Sequence, residues 1–490
     1  MTSSGANATG TSAGSGSPGT GAADSAPWAA AWELLLPAAS APARARGRTL
    51  QEALRASVRS GRLAPGTRLP SSRELAADLG VSRGLVTEAY EQLTAEGYLR
   101  SGRGAGTWVG DAVRASVPHV RDLAPRPAAD ARADFVPGTP DLSLFPRSAW
   151  AAAQRGALAE LPHHALGYPD PRGLPRLRTA LAELLARRRG AVADPERIVV
   201  VSGVAQAMTL LGFVLHARGV REVGIEDPGS PEHGALYASA GVGTVRLPLD
   251  REGLATRPLE ASGVRAVVTT PAHQFPSGIA YSAGRRAELL AWARSSDALL
   301  IEDDYDGDFR YDRAPVGALQ GLDPEHVAYT GSVSKSLAPG LRLGWLLVPA
   351  SLTEEVVERK RTMDLGNPVV EQALLARFIE RGDYDRQLRR CQRAYRERRD
   401  TLVSALDEHF PGTEVSGIAA GLHVIAVLPE RFGPLDQFLE RAASASVAVR
   451  PLAYYGQAVG EGVRLVLGYA HLSPARIREG VRVLADAVGR

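Results

Sequence analysis

The sequence predicts a multidomain protein: a small α+β unit of three helices closed by a β-hairpin, followed by a large α/β domain. Two observations predict it. Between residues 48 and 109, three helical patterns are punctuated by glycines and end in a Gly/Arg-tipped pair of short strands. From about residue 134 onward, continuous apolar runs alternate with helical stretches. A length of 490 residues exceeds one ordinary core.

Residues 1–27 are almost entirely Gly, Ser, Thr and Ala, and are expected to stay disordered because they bury too little apolar surface to offset their ordering entropy. Met1-Thr2-Ser3-Ser4-Gly5 lacks the charged and apolar regions of a secretory leader. No run of about 18 apolar residues is present, so no membrane span is expected. Cys391 is the only cysteine, which excludes an intrachain disulfide and suits the cytoplasm.

In the small unit, expected over 44–112, Leu50, Ala53, Leu54 and Val58 share one helical face, and Gly61 ends that helix. Ser71-Ser72-Arg73-Glu74 is a capping-box pattern that opens a helix with Leu75, Ala76 and Leu79 inward. Gly80 makes a tight turn, Ser82 caps a third helix carrying Leu85, Val86, Ala89, Tyr90 and Leu93, and Gly97 stops it. Tyr98-Leu99-Arg100 and Thr107-Trp108-Val109 flank a Gly/Arg tip and read as a hairpin. Three helices and such a hairpin describe a winged helix-turn-helix. Nine arginines against six acids between Arg48 and Val109 leave +3, equal to the formal charge of the whole chain. The basic bias therefore lies in this unit and suits contact with DNA phosphates and guanine edges; a small helical module with an ordinary solvated face is the plain alternative.

Residues 113–133 are a Pro/Ala/Arg linker, and the large domain spans 134–490. Ile198–Val201, Ala266–Val268 and Ala298–Ile301 read as buried parallel strands, and 176–188 and 285–294 as helices. The stretch Thr330-Gly331-Ser332-Val333-Ser334-Lys335 carries the chemistry. Only two lysines, Lys335 and Lys360, stand among 57 basic residues. A primary amine forms a Schiff base with an aldehyde, and a guanidinium does not. Ser332, Ser334 and Arg342 around Lys335 make a plausible phosphate-holding set for a covalently held cofactor; a surface lysine in a Ser/Gly loop is the plain alternative. Val201-Ser202-Gly203-Val204-Ala205 joins a strand to a helix whose first N–H groups can hold a phosphate. Glu302-Asp303-Asp304-Tyr305 ends another strand, where a carboxylate can pair with a pyridinium nitrogen and a tyrosine with a ring hydroxyl; a solvated acidic loop is the alternative. Arg464, in an apolar strand, needs either a ligand carboxylate or a structural acid.

Two resemblances join these motifs. Gly66-Thr67-Arg68-Leu69-Pro70-Ser71-Ser72-Arg73-Glu74-Leu75-Ala76, Leu79-Gly80-Val81-Ser82-Arg83, Glu96-Gly97-Tyr98-Leu99 and Gly104-Ala105-Gly106-Thr107 resemble the winged helix of GntR-type regulators. That resemblance implies that Arg73, Ser82, Arg83, Arg103 and Gly104 touch operator DNA. Thr87-Glu88 stands where some members carry a further basic residue. The large domain resembles fold type I pyridoxal-phosphate (PLP) enzymes of the aspartate aminotransferase group. The resemblance makes Lys335 the catalytic, cofactor-bearing lysine, and puts Asp303 on the pyridinium nitrogen and Tyr305 on the ring hydroxyl. It places Val204, Ala205, Ser332, Ser334 and Arg342 around the phosphate. It gives Arg464 a substrate or effector carboxylate, and Tyr168, in Gly167-Tyr168-Pro169-Asp170, the neighbouring subunit's phosphate.

A GntR-type head on such a body, with Pro271-Ala272-His273-Gln274-Phe275-Pro276 and Glu302-Asp303-Asp304-Tyr305-Asp306, is similar to MocR-type regulators. This implies a transcription regulator that senses PLP or its adduct with a small amino compound, controls amine catabolism or PLP synthesis, and forms a head-to-tail homodimer. Ser230 replaces an aromatic found in many relatives, and Phe275 replaces the Asn that contacts the ring hydroxyl in true aminotransferases, which weakens the case for efficient transamination. A working aminotransferase with an appended DNA-binding domain is the second reading, and a vestigial dimerisation body the third.

Overall fold

The computed structural model describes residues 38–102, 106–110, 132–311, 316–456 and 462–489. The chain divides between Pro125 and Arg126 into two compact units. The expected tail, most of the linker, Arg103 and Gly104 lie outside the described residues.

In the small unit, α1 (Arg46–Arg59) buries Leu50, Leu54 and Val58. α2 (Ser72–Leu79) opens with a complete capping box: the Ser71 hydroxyl accepts from Glu74 N–H and the Glu74 carboxylate accepts from Ser71 N–H. Gly80, at φ 63°, supplies the left-handed turn that brings in α3 (Arg83–Ala95), whose cap Ser82 accepts from Leu85 N–H. Val86, Ala89, Tyr90 and Leu93 of α3 are buried against α1 and α2. The hairpin strands β2 (Leu99–Gly102) and β3 (Gly106–Val109) pair antiparallel. A third strand, β1 (Arg68–Leu69), pairs with the far side of β3, so the wing is a three-stranded sheet rather than an isolated hairpin. Two residues carry no detectable period, which is why this strand is silent in the sequence.

The large unit is built on an eight-stranded sheet. In chain order its strands are β4 (Ile198–Val201), β5 (Glu222–Asp227), β6 (Gly243–Asp250), β7 (Gly253–Leu254), β8 (Ala266–Thr269), β9 (Leu299–Asp303), β10 (Val327–Ser332) and β11 (Gly344–Leu347). Their spatial order is β4-β11-β10-β9-β8-β5-β6-β7. The expectation of parallel strands holds for β8 and β9. It fails for β4, which hydrogen-bonds only to antiparallel β11. All four residues of β4 are buried although it is an edge strand, and a strand buried on both faces reads alike whether parallel or antiparallel. The helix expected over 176–188 is α4 (Pro175–Arg189); α5 (Val204–Ala217) follows β4, and the helix expected over 285–294 is α6 (Ala283–Ser296). A second sheet joins Glu414–Ser416, His423–Val427, Arg464–Gly468 and Arg450–Pro451. Ala133–Asp134 pairs in parallel with Val447–Ala448. Cys391 is buried and unpaired. Among the described residues, no helix is long and apolar enough to cross a membrane.

Candidate functional site

Register brings the motifs to one edge of the large sheet. Gly344 of β11 sits opposite Val201 of β4 on one side and Ser332 of β10 on the other. Asp303 of β9 is paired with Thr330 of β10. The ends of β4, β9 and β10 and the start of β11 therefore meet, where an open α/β sheet ordinarily receives a ligand.

Lys335 lies in the turn after β10, half-buried, and its Nζ donates to the Gly138 carbonyl at 2.5 Å. Burial holds its pKa below the ordinary lysine value, although Asp306, Asp303 and Glu232 pull the other way. A depressed pKa raises the fraction of free amine, the nucleophilic form.

The three successive acids have three fates, and none is solvated loop. Glu302 is fully buried and pushed up to about 7 by burial. Asp303 is buried, with His233 Nε2 at 3.1 Å from one carboxylate oxygen and Thr330 Oγ1 donating to the other at 3.3 Å. Asp304 accepts from Arg189 Nε at 2.6 Å and from the Tyr329 hydroxyl at 2.5 Å, a buried ion pair. The Tyr305 hydroxyl lies 3.0 Å from His273 Nδ1, itself 3.0 Å from Asp306 Oδ2. Burial, reinforced by Asp306, raises the Tyr305 pKa well above the usual phenol value, so it remains a donor. Phe275 packs edge-on against Tyr305, His423 and Tyr455.

At the other end of the site, Gly203 adopts φ 85° and precedes α5. The N–H groups of Val204 and Ala205 open the helix without intrahelical acceptors. Arg342, itself at φ 50°, donates to the Ser202 carbonyl. Its guanidinium lies so close to Gly203 that a Cβ there would stand 3.1 Å from Nη2. Ser332 and Ser334 are half-buried beside Lys335, and Ser334 N–H donates to Ser332 Oγ at 3.4 Å.

Two further expected residues stand on other segments of the large unit. Arg464 starts the strand Arg464–Gly468, half-buried opposite Val427. Tyr168 is 91 % exposed, so its ring makes almost no contact within its chain. Sequence reasoning missed His233, Asp306, His423 and Arg189 as participants. Asp306 and His273 were within quoted motifs, but no local pattern marks the histidine at 233 or the arginine at 189.

The donor set fits PLP. A primary amine with a depressed pKa suits the aldehyde, a buried carboxylate fixed by His233 and Thr330 suits the pyridinium, and a protonated tyrosine suits the ring oxygen. Two helix-start N–H groups with Arg342 and two hydroxyls suit a dianionic phosphate.

On the small unit, Arg73 and Arg83 are exposed at the starts of α2 and α3. A groove between α3 and the wing is lined by Arg68, Arg83, Thr87, Glu91, Ser101 and Thr107; Glu88 is exposed but does not line it. Arg55 is spent on Glu96 and Arg59 on the Tyr98 hydroxyl, so not every arginine of this unit is available to a polyanion.

Residues 47–109 match the family described as bacterial regulatory proteins, gntR family, and residues 138–484 match aminotransferase class I and II. The HTH-type pyridoxine biosynthesis transcriptional regulator PdxR of Corynebacterium glutamicum is 34% identical over 443 residues, covering 90% of this chain and 95% of that protein. The probable rhizopine catabolism regulatory protein MocR of Rhizobium meliloti is 34% identical over 463 residues, covering 90% of this chain and 93% of that protein. Among solved structures, the multiple substrate aminotransferase of Thermococcus profundus has a TM-score of 0.66 at 28% identity, over 74% of this chain and 92% of that one.

Proposed function

The chain belongs to the MocR-type transcription regulators of the GntR family, which join a DNA-binding helix-turn-helix to an aminotransferase-like domain, and on that footing we propose that occupancy of the Lys335 site, by PLP alone or with a small amino compound, sets operator binding. The observation that carries this reading is the meeting, at one sheet edge, of a half-buried lysine, the Asp303–His233 pair and the Ser202–Ala205 turn with Arg342.

Lys335 offers the amine. Asp303, held by His233 and Thr330, accepts from the pyridine N–H. Tyr305 donates to the ring oxygen. Val204 and Ala205 N–H, Ser332, Ser334 and Arg342 receive the phosphate. Bound there, PLP supplies an aldehyde carbon that one amine holds at a time, so an effector amine competes with Lys335. Arg464 takes an effector carboxylate. Tyr168, almost free of its own chain, completes the phosphate site of a second copy in a head-to-tail homodimer. Phe275, packed on Tyr305 in place of a polar amide, favours ligand sensing over rapid turnover.

Arg73, Ser82, Arg83, Arg103 and Gly104 contact DNA, with arginines on phosphates and guanine edges. Ligand occupancy favours one arrangement of the dimer, and with it one half-site separation. The protein acts in the cytoplasm, where the operator is.

Full-length protein is titrated with PLP and read by visible absorbance before and after borohydride, beside Lys335→Ala. A band that reduction fixes in the wild type and that the variant lacks is expected, together with operator affinity that differs between apo and loaded protein. Absence of the band, or identical DNA binding in both states on every candidate operator, overturns the reading.

A further inference from the structure

In a chain so rich in arginine each lysine calls for a reason, and Lys335 accounts for only one of the two. Lys360 lies near the end of the helix Ala350–Asp364 and is fully buried. Its ammonium has three N–H donors, and three oxygens receive them: Asp364 Oδ1 at 2.8 Å, Asp364 Oδ2 at 2.7 Å and Asn367 Oδ1 at 2.6 Å. A compact tetrahedral cation suits such a cage, whereas the planar fork of an arginine does not.

Both acceptors of Lys360 reach on to the turn before α5. Asn367 Nδ2 donates to Ser202 Oγ at 3.0 Å. Gln206 Nε2 donates to Asp364 Oδ2 at 2.7 Å, and Gln206 Oε1 accepts from Ser202 N–H at 2.7 Å. With Arg342 on its carbonyl, Ser202 is held by its N–H, its C=O and its hydroxyl. Val204 and Ala205 have apolar side chains, so all they can offer an anion is backbone N–H. The direction of those N–H groups is therefore set by the clamp on Ser202 and by the unusual backbone of Gly203.

We propose that Lys360 is a positioning residue: acting through Asp364, Asn367 and Gln206, it fixes the Ser202–Ala205 turn in the orientation that receives the cofactor phosphate, without touching the cofactor. This deepens the PLP reading above and rests on it. The consequence is specific to phosphate, because pyridoxal lacks that group and makes no use of the turn.

The test compares affinity for PLP and for pyridoxal, by absorbance titration of full-length wild type, Lys360→Met, Lys360→Arg and Ser202→Ala. Lys360→Met is expected to weaken PLP about tenfold or more while pyridoxal stays within about twofold, and Lys360→Arg is expected not to restore the ratio. Ser202→Ala removes one half-buried hydroxyl and is expected to shift the same ratio several-fold; if Lys360→Met does not fold, this variant decides. Equal weakening of both ligands marks a merely structural lysine and overturns the inference, as does an unchanged PLP-to-pyridoxal ratio. Wild type that binds neither ligand defeats the cofactor reading itself, whereas wild type that binds PLP with unmoved variants defeats only the role of Lys360.

Discussion

Replacing His423 by glutamine isolates a buried imidazole that the fold keeps uncharged. His423 opens the strand His423–Val427 and is 2 % exposed. Its Nε2 lies 3.0 Å from the Pro276 carbonyl, so that nitrogen carries the proton and donates. Its ring centroid is 5.4 Å from that of His273. Burial, followed by the charge of His273, pushes the His423 pKa from 6.5 down to about 4. Between those values the unfolded chain binds a proton that the folded protein refuses, so stability is full above pH 6.5 and is lost as pH falls towards 4. A gap of about 2.5 units corresponds to about 3 kcal/mol. Glu302 acts in the opposite sense over nearly the same window. Burial raises it from 4.5 to about 7, so the folded state binds the extra proton and gains stability on acidification. The wild-type pH profile therefore blurs two opposed groups, whereas the difference between wild type and His423→Gln cancels Glu302. Urea unfolding of both proteins at pH 7.5 and 4.5 is the assay. Glutamine keeps a donor for Pro276 but does not titrate. The stability advantage of wild type over the variant is expected to shrink by about 2–3 kcal/mol between the two pH values. An advantage that stays constant refutes the reasoning, because His423 would then titrate alike in both states.

The small unit and the DNA contacts can be separated from the cofactor site. Leu93 is fully buried in the small core, so Leu93→Ala is expected to cost about 2–5 kcal/mol there and to abolish operator binding, with the PLP absorbance band unchanged. Parallel thermal melts and PLP titrations check this. Arg83→Ala is expected to cost about 1–3 kcal/mol of operator affinity if the side chain reads a base edge; if it contacts a phosphate instead, the log–log salt slope falls by about 1 and all sequences weaken alike. Fluorescence anisotropy at several salt concentrations distinguishes the two, and unchanged affinity at every salt concentration removes Arg83 from the interface.

The small unit was legible because its signals are local. Ser71 and Glu74 are three residues apart, Ser82 caps its own helix, and Gly80 and Gly97 both adopt positive φ where the helices stop. Strand β1 was not legible, because two residues gain strand character only from a partner about forty positions away at Thr107–Trp108. In the large unit, β4, β8 and β9 announced themselves by apolar runs, and the helices α4 and α6 by their stretches between such runs. Their lateral order did not, since β11 is inserted between β4 and β10 by hydrogen bonds that leave no mark on composition.

The candidate site divides along the same line. The Lys335 stretch, the Ser202–Ala205 turn and the acids at 302–304 were visible as residue types at the ends of apolar runs, where an α/β fold exposes them. What each acid does was not visible, because that depends on distant elements: His233 meets Asp303 across 70 positions, and Arg189 meets Asp304 across 115. Strand alternation explains why neighbours differ. Glu302 and Asp303 face opposite sides of β9, so Asp303 meets His233 and Thr330, whereas Glu302 accepts from Gln320 N–H on the other side. A pyridinium partner must be anionic. Burial pushes Glu302 towards its neutral form at physiological pH, which unfits it for that role, whereas Asp303 keeps hydrogen-bond partners on both oxygens. The same logic separates the two lysines, whose pKa values burial lowers alike: one is half-buried at the sheet edge, the other fully buried within three acceptor oxygens. Scarcity in the sequence sets both lysines apart from the arginines, and only their surroundings tell one from the other.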